Sequence, residues 1–320
     1  MTKYLAACAV AVFATTTLAQ SQWPDKPVRL IVPYPPGGNV DSAARIISER
    51  LGAVFNQQFL VENKAGAGGL IAGEFVARSA PDGYTFFVGA NGPILFAPLI
   101  FKRDVYHWKK DFVPVSSVSF TSLVLQVNPS TPYKTVAQLL EAGKNPATKL
   151  SMASPGAGTT NHLISELVQE QSGAKWLTVQ YKGNAPATSD LLGGQVDFNF
   201  DQVSVALPFI KDGRTRALAV SSPQRLPQLP DVPTLQEAGF KGLTAETFTG
   251  VLAPKGTPAE IVKRLSEALQ KVLAEKGVQD KFAGLGAQSR GSQPEQFADY
   301  LNAEDERWTP IIKKINITSQ

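Results

Sequence analysis

The chain has one cysteine, Cys8, and two histidines, His107 and His162. Cys8 falls within residues 1–19, which read as an export signal. Lys3 gives a positive start, Leu5–Leu18 is apolar or small, and Thr17-Leu18-Ala19 supplies the small residues of a cleavage site. Leu5-Ala6-Ala7-Cys8 resembles a lipoprotein box, but only four residues precede it, so Cys8 reads as a chance cysteine unless translation starts further upstream. Removal of the signal leaves no thiol, which excludes structural disulfides and thiolate metal sites. No later apolar run is long enough to span a bilayer. Motifs of the GxxxxGK, HExxH and GxSxG kinds are also missing, so nothing points to a nucleotide, a catalytic metal or an activated serine. Charged residues make up 18% and the formal net charge is +4, with the basic residues scattered. Lys109-Lys110 and Lys313-Lys314 are pairs rather than a patch, so no nucleic-acid partner is expected.

What is present is a loop-rich globular composition, 43% hydrophobic with 26 glycines and 23 prolines. Its 320 residues suggest about two domains. Val28–Tyr34 is a continuous β-branched apolar run, suited to a buried parallel strand. Ala43, Ala44, Ile47 and Leu51 then fall at helical spacing. The alternation repeats through strand candidates Phe59–Glu62, Tyr84–Ala90, Leu123–Val127, Leu150–Ser154, Leu177–Tyr181, Val196–Phe200 and Ala217–Val220. Helical segments separate them, which predicts an α/β fold with mainly parallel sheets. Phe248–Ala253 and two long helices, Pro258–Glu275 and Pro294–Lys314, complete the pattern.

Two strand-to-helix loops stand out. Tyr34-Pro35-Pro36-Gly37-Gly38-Asn39-Val40-Asp41 combines stiff prolines with glycines that let a ligand approach the backbone. The helix that follows offers unpaired N–H groups to an anion; a plain capped turn is the alternative. Asp41 would repel a bound carboxylate, so its expected role is structural, as a cap or as partner of Arg45, unless it accepts from a ligand amino or hydroxyl group. Ser154-Pro155-Gly156-Ala157-Gly158-Thr159-Thr160 repeats the arrangement with hydroxyls. Tyr181 and Asp201 end strands and are candidate lining. His162 reads as a packing or hydrogen-bonding residue, and no nucleophile–base pair is apparent.

Taken in order, the motifs resemble one family. They are Trp23-Pro24 with Val28–Asp41, Glu62-Asn63-Lys64 with Gly66–Gly69, Pro81–Thr85, and Ser154–Thr160 with His162-Leu163. Tyr181-Lys182-Gly183, Asp190–Asp197, Asp231–Thr234 and Glu237-Ala238-Gly239 follow. The series is similar to the Bug-type receptors of tripartite tricarboxylate transporters. The resemblance implies a type II-like periplasmic binding protein with two α/β lobes, residues 23–122 plus 247–320 and residues 123–246, joined by crossing strands. It implies export to the periplasm, no enzymatic activity, no cofactor or metal, and a monomer. The implied ligand is a di- or tricarboxylate, an acidic amino acid or an aromatic carboxylate, passed to membrane permease subunits or presented to a receptor kinase. By the same resemblance Pro36, Gly38, Asn39 and Val40 form one jaw; Tyr34 and Asp41 of the same loop are further candidate ligand-binding residues. Ser154, Gly158, Thr159 and Thr160 form the other, with Asn91 and Asp201 on the distal side and Tyr181 as candidate lining from its strand end. Asn39-Val40 and Ala153 depart from the usual pattern at positions where many relatives carry smaller or hydroxylated residues, which leaves ligand identity open.

Overall fold

The computed structural model describes residues 23–101 and 104–315; the expected signal, with Cys8 and the cleavage point at Ala19, lies outside the described residues. The first elements are β1 (Val28–Val32), α1 (Asn39–Phe55), β2 (Phe59–Asn63), α2 (Leu70–Ala77) and β3 (Thr85–Ala90). A π turn at Gly92–Phe96 leads into α3 (Ala97–Ile100), then α4 (Trp108–Asp111) and β4 (Phe112–Val127). The middle of the chain forms α5 (Val136–Lys144), β5 (Ser151–Ser154), α6 (Thr160–Ser172), β6 (Leu177–Gln180), α7 (Asn184–Leu192), β7 (Phe198–Gln202), α8 (Val203–Lys211) and β8 (Arg216–Val220). The last elements are β9 (Glu246–Pro254), α9 (Ala259–Ala274), α10 (Lys276–Gly284), β10 (Gln288–Ser289) and α11 (Pro294–Ile315).

Apolar runs become strands covered on both faces. In β1, Leu30 packs into one core and Ile31 into the other; in β3, Phe86 and Phe87 divide the same way. Each such side chain is fully buried, worth about 1.5–3 kcal/mol over exposure. The helices follow from their stripes: Ala43, Ala44, Ile47 and Leu51 of α1, and Val262, Leu265, Leu269 and Val272 of α9, all face the second core. Among the described residues no helix is long and apolar enough to cross a membrane.

The expectation of mainly parallel sheets is corrected. β1 pairs in parallel with β2 and β3, and β5 with β6 and β7, as the strand–helix alternation requires. The strands that join the two halves of the sheet run antiparallel to their neighbours. Phe112–Ser122 of β4 lies against β9, while Leu123–Val127 lies between β7 and β8. β4 thus runs about 50 Å from one half into the other. The C-terminal part also holds three helices, because Glu275 is extended (φ −63°, ψ 129°) and separates α9 from α10.

The two crossings are knitted by one side chain. Buried Ser221 Oγ accepts from the Leu123 N–H at 2.8 Å and donates to the Ala245 carbonyl at 2.6 Å. Its backbone pairs with the same two residues. In Ser221→Ala a buried N–H and a buried carbonyl lose their partner, which costs about 1–3 kcal/mol. Urea unfolding is expected to show that loss; a midpoint equal to wild type would remove Ser221 from this role.

Candidate functional site

Four helices start around one small cavity. It is bounded by Tyr34, Asn39 and Val40 after β1, by Ala90 at the end of β3 and Gly92 beyond it, and by Pro155, Thr159, Thr160 and Asn161 after β5. Asn184 at the start of α7, Gln202 at the start of α8 and Thr247 of β9 close it. The enclosed space is ≈ 20 Å³, about what one water requires. None of these lining side chains carries a formal charge. The first N–H groups of a helix have no partner inside it, and α1 and α7 begin at Gly38 and Gly183 with no side-chain cap. Their donors and the positive ends of their dipoles therefore face the cavity.

The first loop is held from behind. Asp41 Oδ2 accepts from the Gly37 N–H and from Arg45 Nε, both at 2.9 Å. Its Oδ1 accepts from Asn63 Nδ2 at 2.9 Å and from Arg45 Nη2 at 3.1 Å. Asn63 Nδ2 also donates to the Tyr34 carbonyl at 2.8 Å. Burial raises the Asp41 pKa, but these hydrogen bonds outweigh it and hold the carboxyl below its usual range. Asp41 thus pairs with Arg45 and pins the loop. The helix cap itself is Gly38, so the capping alternative for Asp41 does not hold.

The second loop folds on itself. Thr159 caps α6, its hydroxyl accepting from the His162 N–H at 3.3 Å and donating to the Gly156 carbonyl at 2.8 Å. His162 Nδ1 accepts from the Gly158 N–H at 3.3 Å. Burial lowers the His162 pKa to about 4, so at neutral pH the ring is uncharged and able to accept. Ser154 Oγ is turned into the loop, against Gly156. Thr159 and Thr160 therefore line the cavity, whereas Ser154 and Gly158 shape the loop behind them.

Asp201 stands one hydrogen bond behind the cavity. Its Oδ1 accepts from Asn184 Nδ2 at 2.5 Å and from the Gln202 N–H at 2.9 Å, and Oδ2 accepts from Thr188 Oγ1 at 2.8 Å. Asn184 Nδ2 also donates to Gln202 Oε1 at 2.6 Å, and Gln202 Nε2 donates to Asn161 Oδ1 at 2.8 Å and Thr247 Oγ1 at 3.1 Å. One buried network thus orients the cavity amides. The same groups tie the halves together: Gln202 meets Thr247, and Ser204 Oγ donates to Asn39 Oδ1 at 2.7 Å. Gly183, at φ +143°, lies so close to Pro35 that a Cβ would come within 2.8 Å of its Cδ.

The remaining expected residues lie off the cavity. The Asn91 amide is turned toward β9 and α11, accepting from the Phe248 N–H at 3.0 Å and donating to Glu304 Oε2 at 3.1 Å. Tyr181 donates to Asp190 at 2.6 Å and lines an adjoining ≈ 200 Å³ cavity that shares Tyr34 and Pro155. Pro36 is exposed on the loop's outer side. Asn161, Asn184, Gln202 and Thr247 were not anticipated. Asn184 directly follows Tyr181-Lys182-Gly183 and Gln202 directly follows Asp201, so the strand-end signals pointed one step short.

Burial pushes the Asp201 pKa up from 3.8 to about 6, against the hydrogen bonds it accepts. A carboxyl raised on folding contributes stability that is full below pH 3.8 and lost as pH rises through 6. His162, lowered from 6.5 to about 4, does the opposite: its contribution is full above pH 6.5 and lost as pH falls through 4. The two oppose each other across the same window. Asp201→Asn is therefore expected to leave stability rising more steeply from pH 4 to pH 6 than in wild type, measured by urea unfolding at both values. An identical pH slope would rule out titration of Asp201 there.

A family model described as the tripartite tricarboxylate transporter family receptor matches residues 43–317. BugT of Bordetella pertussis is 34% identical over 320 residues, covering 98% of each chain. The solved structure of R. palustris Rpa4515 with adipate superposes with a TM-score of 0.89 at 33% identity, over 92% of this chain and 99% of that one. MatC from Rhodopseudomonas palustris with bound malate gives 0.86 at 31% identity, over 91% and 100%. The chain belongs to the tripartite tricarboxylate transporter receptor family, of Bug type.

Proposed function

We propose that this chain is a periplasmic receptor that closes its two lobes, residues 23–122 plus 247–320 and residues 123–246, over a small carboxylate. It then delivers that carboxylate to the membrane subunits of a tripartite tricarboxylate transporter. The observation that carries this reading is the convergence of uncapped helix starts on a cavity with no charged lining. Each helix start acts as about half a positive charge, so two or three of them balance a carboxylate without an arginine. Oriented N–H groups need little reorganisation when the anion arrives, and lobe closure removes the water that would screen them. Adipate and malate, named with the two solved relatives, are of this chemical class.

The bonds between halves suit a closure step. Asn39–Ser204 and Gln202–Thr247 connect groups from opposite sides of the crossing strands. A ligand held by both jaws adds its binding energy to these contacts and shifts the population toward the closed form. The exported chain, with its signal removed near Ala19, would present that form to the permease.

Thermal melting against a panel of carboxylates tests the reading, with mass spectrometry of any co-purified ligand identifying the solute. A ligand at about 100 times its Kd adds roughly 2.7 kcal/mol of stability. A clear shift with a neutral sugar and none with any carboxylate would refute it. Gly38→Val supplies the matching variant, because a Cβ at Gly38 would sit 3.1 Å from Asn184 Oδ1 across the jaws. It is expected to abolish the carboxylate shift while costing about 1–3 kcal/mol of intrinsic stability, since Gly38 is buried. A retained shift would place the anion away from this jaw.

A further inference from the structure

A second concavity shares no residue with the cavity between the jaws. It is a groove of ≈ 500 Å³ between the end of α6, the loop Lys241–Thr244 and the last turns of α11. Its floor is apolar, made by buried Leu167, Leu243 and Trp308 and half-buried Ile311. Lys241, Arg307 and Lys314 stand at the rim, against one lining carboxylate, Glu170. Lys314 Nζ lies 2.8 Å from Glu170 and Arg307 Nη1 lies 3.6 Å from Glu304, so the excess charge rests mainly on Lys241. Arg307 is already positioned: Nη2 donates to the Thr244 carbonyl at 2.6 Å, and the guanidinium sits over the Trp308 ring at 4.9 Å. The volume lies in the range of small-molecule sites, and an apolar floor with a few converging charges is the usual make-up of one.

We propose that this groove is a second binding site, for an amphipathic anion. Its aryl or alkyl body would lie on Leu167, Trp308 and Ile311, and its carboxylate or sulfonate would meet Lys241 and Arg307. The groove is mechanically linked to the cavity. α6 starts at cavity-lining Thr160 and reaches the groove at Leu167 and Glu170, about 15 Å along one rigid helix. α11 carries Glu304, which accepts from Asn91, the neighbour of cavity-lining Gly92. An occupant touching both helices favours their present arrangement, and linkage makes the effect on cavity affinity reciprocal. Binding in the groove stands alone; the coupling rests on the carboxylate function proposed above.

Titration of the full protein with anilinonaphthalenesulfonate, an amphipathic anion whose fluorescence rises on apolar contact, tests the site. The expected result is a saturable single-site rise that weakens about tenfold or more in Lys241→Ala and separately in Arg307→Ala. Unsaturable binding, or wild-type affinity in both groove variants, would overturn the site. Any carboxylate that raises the melting temperature is expected to tighten the probe, and an unchanged probe affinity overturns the coupling. Probe binding without a thermal shift from any carboxylate would instead fail the function proposed for the cavity, leaving the groove standing.

Discussion

The first donors of a helix cannot be satisfied within the helix, and in this protein α1, α6, α7 and α8 all begin at the same place. Much of the site's construction follows from that concentration of unpaired N–H groups. Glycine at the caps of α1 and α7 leaves the backbone donors uncovered, whereas Thr159 at the cap of α6 covers one and leaves its neighbours. The electrostatics of the cavity therefore come from oriented peptide dipoles, and the charged residues nearby serve to hold those dipoles in place.

Two buried carboxylates do this holding in opposite electrostatic settings. Asp41 has an arginine beside it, so its hydrogen bonds prevail over burial and it stays ionised. Asp201 has only neutral donors, Asn184, Thr188, Asn199 and the Gln202 N–H, so burial prevails and its pKa rises to about 6. The first pins a loop against α1. The second orients the amides of Asn184 and Gln202, and through Gln202 it reaches Thr247 in the other half of the sheet. The same division of labour appears at the crossing strands, where Ser221 satisfies a donor and an acceptor that would otherwise be stranded.

Long helices extend the reach of the site. α6 links the cavity to the groove along its length, and α11 links the groove back to Asn91 and β9. Because packed helices shift as units rather than bending continuously, a ligand at either end of α6 acts on the same rigid element.

The sequence by itself determined the local pieces. Buried β-branched runs set β1 and β3, the Pro/Gly loops set where α1 and α6 begin, and the ordered motifs carried the family. What it did not determine was which side chains meet. Asp201 and Gln202 are adjacent on β7 and point to opposite faces, yet only the packing of α7 and β9 decides that Gln202 faces the cavity and Asp201 faces away. Asn91 directly follows β3 and was a candidate site residue, but the N–H of Phe248 and the carboxylate of Glu304, more than 150 residues away, claim its amide. Thr247 carries no local signal because its role depends on a strand from the far end of the chain. Local periodicity records which residues share a face, and only tertiary contacts between distant segments decide what that face meets.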